Sequence, residues 1–355
     1  VKRLGERIKQ KRDIQRIPMG ELARRAGISA SELSQIEKAK QLQQHLLTDI
    51  QYDNLNDCIE ELYQSQLNSW PLVADNYRNL QKTLKRTLLF GNFSVDIQHN
   101  PGRVRSTCAK TQEGHIKERP CFLCAENLPA EQKGLLILER YLLLINPYPI
   151  FSRHLTISDI NHTPQLIHNR ISDILKLSKK LNNYTLFYNG PGCGASAPDH
   201  FHFQAVPKNA LPVDREYEQL LKHNSRCLKQ DKNGAIYMID SFLRECVIFE
   251  SDNIKWVEEN FNHILTKCFL NEGGQEPMIN VLANFCCGTF RLFLFPRAAQ
   301  RPLFFYKTGN DKIVVSPASV EMGGTIITPR KEDFEKITKQ DVIRIFEEVS
   351  YSISL

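Results

Sequence analysis

The densest group of reactive side chains in the chain is His200-Phe201-His202-Phe203-Gln204. It follows the loop Asn189-Gly190-Pro191-Gly192-Cys193-Gly194-Ala195-Ser196-Ala197-Pro198-Asp199. Alternate side chains of a strand share a face, so His200, His202 and Gln204 are expected to project together, with Phe201 and Phe203 turned into a core. Glycine lets backbone N–H groups come close to an anion, and Gly190, Gly192 and Gly194 lie within five residues. Ser196 adds a hydroxyl donor. A neutral imidazole in such a place can attack phosphorus and hold a nucleoside monophosphate covalently. Gln204 can donate hydrogen bonds to that phosphate, but it cannot protonate a leaving group as a third histidine could. The intermediate then waits for a second phosphate-bearing acceptor, which favours transfer or phosphorolysis over hydrolysis.

Cys121-Phe122-Leu123-Cys124 has the spacing of a zinc knuckle, because two thiolates two residues apart can share one tetrahedral ion. A redox-active pair and a buried pair are the other readings of a lone Cys-x-x-Cys. Arg103, Arg105, Lys110 and Arg119 are candidates for neutralising phosphate charge, although a solvated basic edge is the simpler expectation for most of the four. His99, His115, His168, His223 and His263 lie outside any motif.

The elements that must position these groups alternate between strands and helices from Phe90 onward. Strands are expected over Leu135–Leu138, Tyr141–Asn146, His154–Ser158, Tyr184–Asn189 and His200–Val206. An amphipathic helix is expected over Gln165–Leu181, with Leu166, Ile167, Ile171, Ile174, Leu175 and Leu181 on one side. The second half repeats the order: strands Ala235–Met238 and Cys246–Phe249, helix Asn253–Phe269, then strands Met278–Phe285 and Phe290–Phe295. Aligning Pro207 with Pro296 puts Arg291 where His202 sits, so the second unit lacks the chemistry of the first. Glu332–Val349 reads as a closing helix.

The block from Asn189 to Gln204 resembles the active-site signature of the histidine-triad superfamily. It is most similar to the transferase branch: galactose-1-phosphate uridylyltransferases, diadenosine-tetraphosphate phosphorylases and GDP-hexose phosphorylases. The resemblance covers roughly residues 93–207 and, more loosely, the second half, where Phe290–Arg297 and Glu321–Phe334 look like the C-terminal region of the phosphorylases. It implies an α+β fold of two half-barrel units in tandem, antiparallel sheet with helices. It makes His202 the nucleophile, with His200 and Gln204 beside it. It gives Asn189, Gly194 and Ser196 to the phosphates, together with Arg103 and Arg105 from a stretch resembling the uridylyltransferase phosphate site. It implies a nucleotide or nucleotide-sugar substrate and a phosphate or sugar phosphate acceptor. A homodimer is also implied, since related transferases are often dimers. Some uridylyltransferases bind zinc through residues corresponding to Cys121, Cys124, His162 and His200, which implies a structural zinc here. His154, at the start of a strand, competes with His162 as the third ligand.

The N-terminal piece differs in character. Residues 1–40 carry eleven Lys/Arg against five Asp/Glu, whereas the whole chain of 355 residues carries 46 against 40. The remaining body is therefore neutral, and only the N-terminal piece suits a polyanion. The run Leu22-Ala23-Arg24-Arg25-Ala26-Gly27-Ile28-Ser29 resembles the helix-turn-helix of phage-repressor-like regulators. That resemblance puts Ser29, Ser31, Glu32 and Gln35 near DNA, with Ser29 or Ser31 as the cap of a third helix expected over Glu32–Lys38. Four parts follow: a basic helix-turn-helix-like segment over 1–40, a helical linker over 41–88, a catalytic unit over 89–210 and a degenerate unit over 211–355. No apolar run reaches the ~18 residues of a spanning helix. The N-terminus has no signal-peptide pattern, so the expected location is cytoplasmic, and ten cysteines read as reduced thiols.

The leading expectation is a nucleotidyltransferase or phosphorylase acting through a nucleotidyl-histidine. A DNA-binding regulator that senses a nucleotide sugar is the reading from another class, although a pure sensor has no need of a nucleophile. A nucleotide hydrolase is a third, and Gln204 argues against it.

Overall fold

The computed structural model describes residues 18, 21, 23–24, 29–47, 54–104, 119–268 and 276–353. Helix α1 (Ala30–His45) runs well past the expected end at Lys38, because Ala39-Lys40-Gln41-Leu42 contains no helix breaker. Its C-terminal end docks on the body, where Leu42 and Leu46 pack against Leu128, Leu142 and Leu144. Most of the helix-turn-helix-like run lies outside the described residues. Helix α2 (Leu55–Ser69) starts at Asn54, whose side chain accepts the Asn56 N–H as an N-cap. Helix α3 (Pro71–Leu80) starts on a proline, whose missing N–H costs nothing in the first turn.

The stretch expected to stay helical to Leu88 instead turns into strand β1 (Leu84–Phe90), which pairs antiparallel with β2 (Phe93–His99). From Lys85 onward its leucine-rich sequence alternates exposed and partly buried residues. The C-terminal strand β13 (Thr325–Thr328) pairs parallel with β2 and completes a three-stranded sheet.

The body is one ten-stranded sheet. The first unit contributes β3 (Gly134–Ile137), β4 (Tyr141–Ile145), β5 (Leu155–Asp159), helix α4 (Ile171–Lys180), β6 (Tyr184–Asn189) and β7 (His202–Pro207). After two short helices, α5 (Pro212–Arg215) and α6 (Tyr217–Asn224), the second unit contributes β8 (Ser225–Asp231), β9 (Gly234–Ile239), β10 (Val247–Ser251), helix α7 (Ile254–Cys268), β11 (Ile279–Cys286) and β12 (Thr289–Pro296). The sheet order is β3-β4-β5-β7-β6-β11-β12-β10-β9-β8. Read outward from the β6–β11 seam, the two halves have the same topology, so the repeat expected from sequence exists as one continuous sheet. Helix α4 is shorter than expected, since Gln165–Arg170 forms a loop. The closing helix is split into α9 (Lys331–Lys336) and α10 (Lys339–Val349), with α8 (Ser319–Met322) before β13.

Both faces of the sheet are covered, which is why β4, β5 and β6 are buried along their whole length. One face carries Leu186, Tyr188, Phe203 and Ala205 against α2, α3, α4 and α7. The other carries Phe187, Val206, Leu282 and Phe293 against the three-stranded sheet and the C-terminal helices. Leu282 sits at the seam, pairs with Phe187 and is fully buried. Leu282→Ala is expected to cost about 2–5 kcal/mol of unfolding free energy, read from urea denaturation. A loss within a few tenths of a kcal/mol would show that the seam can collapse around the gap.

Candidate functional site

Strand β7 begins at His202, two residues later than expected, and this separates the two histidines. His202 and Gln204 share the face of the sheet opposite Phe203 and Ala205. They line a cavity of 490 Å³ together with Asn189, Gly194, Ser196 and Arg103. His200 lies before the strand and does not line the cavity; its imidazole turns to the cysteines. Arg105 and Lys110 lie outside the described residues.

The His202 ring is fixed by its neighbours. Nδ1–H donates to the His200 carbonyl at 2.9 Å, which leaves the lone pair on Nε2. Burial holds its pKa down to about 4, so the imidazole is neutral and nucleophilic. Its backbone is held by Gln165, a fully buried side chain that sequence reasoning missed. Gln165 Oε1 accepts the His202 N–H at 2.7 Å, and its Nε2 donates to the carbonyls of His202 at 2.9 Å and Asn189 at 3.0 Å. One carboxamide thus ties the ends of β6 and β7 together.

Two further amides have their oxygens occupied. Gln204 Oε1 accepts Nε2–H of His154 at 2.9 Å, while His154 Nδ1 accepts the Ile150 N–H at 3.3 Å. Asn189 Oδ1 accepts from Asn280 Nδ2 at 3.1 Å and from the Ser319 N–H at 2.8 Å. Both residues therefore keep their NH2 donors for the cavity that they line. His154 is a second-layer support of Gln204 rather than a metal ligand.

The loop between β6 and β7 lies close against the second half of the chain. Gly194 has φ +101°, and a Cβ there would meet Ala318 Cβ at 2.5 Å. A side chain at 194 would therefore clash and strain the backbone. Arg119 donates to the Ser196 carbonyl at 3.0 Å and faces Asp199 at 3.8 Å, so it braces the loop. Arg103 donates to the Tyr148 carbonyl at 2.9 Å at the cavity wall. The second half also supplies Gln300, Arg301, Ser316 and Glu321 to the cavity. Their distance in sequence from the Gly-rich loop hid them, and only the resemblance around Glu321 pointed there.

Cys121, Cys124, His162 and His200 converge, with one ligand atom of each within 4.8 Å of the others. His200 Nδ1 is 3.3 Å from Cys121 Sγ and 3.5 Å from Cys124 Sγ, and His162 Nδ1 is 3.2 Å from Cys124 Sγ. A tetrahedron with metal–sulfur distances of about 2.3 Å and metal–nitrogen distances of about 2.0–2.1 Å has edges of roughly 3.3–3.8 Å, so the donors fit one metal ion. His200 Nε2–H donates to the Asp159 carbonyl at 2.7 Å, which fixes the ring with Nδ1 toward the sulfurs. His154 is absent from this cluster, so His162 is the third donor.

Comparison with known proteins finds two families along the chain. Residues 62–207, ending where β7 ends, match a family described as a domain of unknown function (DUF4922). Residues 220–354 match a family described as GDPGP1-like, C-terminal domain. Neither match covers half of the chain. No curated protein matches it in sequence. The crystal structure of yeast Ap4A phosphorylase Apa2 superposes with a TM-score of 0.53 at 16% identity, over 80% of this chain and 97% of that chain. The fold is that of the yeast phosphorylase. Its complex with AMP gives a TM-score of 0.50 at 15% identity over the same shares. Among the described residues, no helix is long and apolar enough to cross a membrane.

His154 sets a pH dependence of stability. Burial, then the charge of Arg103, hold its pKa down to about 3, against about 6.5 in the unfolded chain. Between these values the unfolded chain binds a proton that the fold refuses. The stabilisation is complete above about pH 6.5 and falls toward about pH 3, by ~1.4 kcal/mol per pH unit. His154→Gln removes that proton, so the slope of unfolding free energy between about pH 6 and about pH 4 becomes shallower by about this amount. Urea denaturation at several pH values measures it, and an unchanged slope would mean that His154 is already protonated in the fold.

Proposed function

We propose that the protein is a nucleotidyltransferase or phosphorylase acting on a nucleoside diphosphate sugar or a dinucleoside polyphosphate. The observation that carries this is the His202 imidazole: neutral, buried, with its Nε2 lone pair free in a cavity lined by oriented N–H donors. In the first step Nε2 attacks the α-phosphorus, an N–P bond forms, and the bond to the bridging oxygen breaks. The leaving group departs as a sugar 1-phosphate or a nucleotide. In the second step an oxygen of phosphate or of a phosphorylated acceptor attacks the same phosphorus, and the N–P bond breaks. Asn189, Gln204 and Ser196 stabilise the phosphoryl oxygens in both steps, and Arg103 and Arg301 offset their charge. Gln204 has no proton to give to a leaving group, which favours transfer over hydrolysis.

The comparisons support this reading without deciding the substrate. The yeast protein of the same fold is an Ap4A phosphorylase crystallised with AMP, and the second unit matches a GDPGP1-like domain. Zinc is the metal best suited to the two-cysteine, two-histidine donor set. When bound, it holds the 121–124 knuckle to the loop before β7; with four protein ligands it leaves no open position for substrate. His200 then serves as a ligand next to the nucleophile, with its orientation shared between the metal site and the Asp159 carbonyl.

Intact-protein mass spectrometry tests the mechanism. Mixed with GDP-, UDP- and ADP-sugars or diadenosine polyphosphates without added phosphate, the protein is expected to gain the mass of one nucleoside monophosphate, and His202→Ala is not. Turnover retained by His202→Ala would sink the covalent mechanism. For the metal, elemental analysis is expected to find roughly one zinc per chain, lost in Cys124→Ser together with thermal stability. A metal-free wild type of unchanged melting temperature would refute the zinc assignment.

A further inference from the structure

The second unit has an arginine in the place of the nucleophile, and its counterpart of the catalytic face is closed. Arg291, in the place of His202, lies 3.6 Å above the Tyr217 ring and pairs with Glu218 at 3.0 Å and Glu250 at 3.3 Å. Tyr217 and Phe293 fill the space beneath it. The first residues of β11 nevertheless reach across the seam. Asn280 is fully buried, and its Nδ2 group donates twice: to Asn189 Oδ1 at 3.1 Å and to the Cys193 carbonyl at 2.9 Å. Its own oxygen accepts from Arg297 Nη1. Arg297 is itself buried and anchored on the carbonyls of Val349 at 3.1 Å and Ala299 at 2.9 Å.

This chain of bonds has a polarity. Arg297 can only donate, so it fixes the Asn280 amide with its oxygen toward the guanidinium. Asn280 must then present NH2 to the first unit, which together with the Ser319 N–H fixes Asn189 with its oxygen away from the cavity. The same NH2 group pins the Gly-rich loop at Cys193. We propose that Asn280, held by Arg297, is a positioning residue that makes Asn189 a donor toward the phosphoryl group. The degenerate unit is thereby part of the working site of the first. This rests on the nucleotidyl-transfer reading only in so far as the cavity receives a phosphate.

Asn280→Asp tests the polarity with almost no change of shape. It keeps an acceptor for Arg297 and removes both donors. Repulsion between the new carboxylate and the Asn189 oxygen then turns the Asn189 NH2 outward, at the cost of its bond from the Ser319 N–H, and shows its oxygen to the phosphate. Losing one aligned donor to a developing oxyanion costs about 100- to 1,000-fold in kcat. We expect a kcat loss of about that size with a smaller change in KM, and an Asn189→Ala/Asn280→Asp double variant no slower than Asn189→Ala alone. Asn280→Ser, which keeps one donor, is expected to lose less and serves as the test if Asn280→Asp does not fold.

Calorimetric binding of AMP, GMP and UMP gives a readout independent of turnover, with melting temperature as the control for folding. Weaker binding by Asn280→Asp at unchanged melting temperature supports the positioning role; if the wild type at the same time binds nucleotide but forms no adduct, the positioning role stands and the covalent mechanism falls. An adduct in the wild type with wild-type binding and kcat in Asn280→Asp overturns the positioning role and leaves the mechanism standing. Additive losses in the double variant also overturn it. A wild type that forms no adduct and binds none of the three nucleotides overturns both.

Discussion

The antiparallel pairing of β6 with β11 is the contact on which the rest of the molecule depends. It joins two copies of one topology into a single sheet, with Asn189 directly across from Asn280. Backbone pairing alone would join any two edges. What makes this seam specific is its side chains: Phe187 and Leu282 bury on one face, Leu186 and Ala283 on the other. A one-residue slip would turn each of them to the wrong face. It would also move Asn280 away from Asn189. The register that satisfies the core therefore also orients the site.

The cavity illustrates how polar groups are arranged for an acceptor-rich ligand. Two carboxamides beside His202 have their oxygens satisfied by donors on the side away from the cavity, His154 for Gln204, and Asn280 with the Ser319 N–H for Asn189. Buried amides left to choose would present either end. Here the choice is made by groups with no alternative: an arginine that only donates, and a histidine whose other nitrogen is occupied by the Ile150 N–H. The two-cysteine, two-histidine cluster applies the same logic next door, where the Asp159 carbonyl fixes the ring of His200.

The site also has contributions that a local reading divides wrongly. His200 and His202 stand two residues apart but serve different sites, because β7 begins only at His202. The rule of alternating faces holds for His202 and Gln204 and fails one step earlier, where the chain is still a turn. Arg119, a candidate for phosphate binding by its charge, is instead spent on the Ser196 carbonyl and Asp199. Helix α1 extends into the body because Leu42 and Leu46 find an apolar cluster there, which the basic character of residues 1–40 gave no sign of.

Much of this was written in local patterns. Short apolar and β-prone runs marked β6 and nearly all the strands of both units, since most of these strands are buried on both faces. Spacing and residue type marked Cys121, Cys124, His202, Gln204 and the Gly-rich loop, and resemblance added His162 and His200 as partners of the cysteines. Strand β1 escaped because its half-exposed, lysine- and arginine-bearing sequence suits a helix as well as an edge strand. Tertiary structure alone decided the parts that depend on contact between distant segments. Gln165, Asn280, Arg297, Gln300 and Arg301 carry no periodic or spacing signal, because a buried amide or guanidinium is defined by the partner it meets. Those partners come together only when the two units share one sheet.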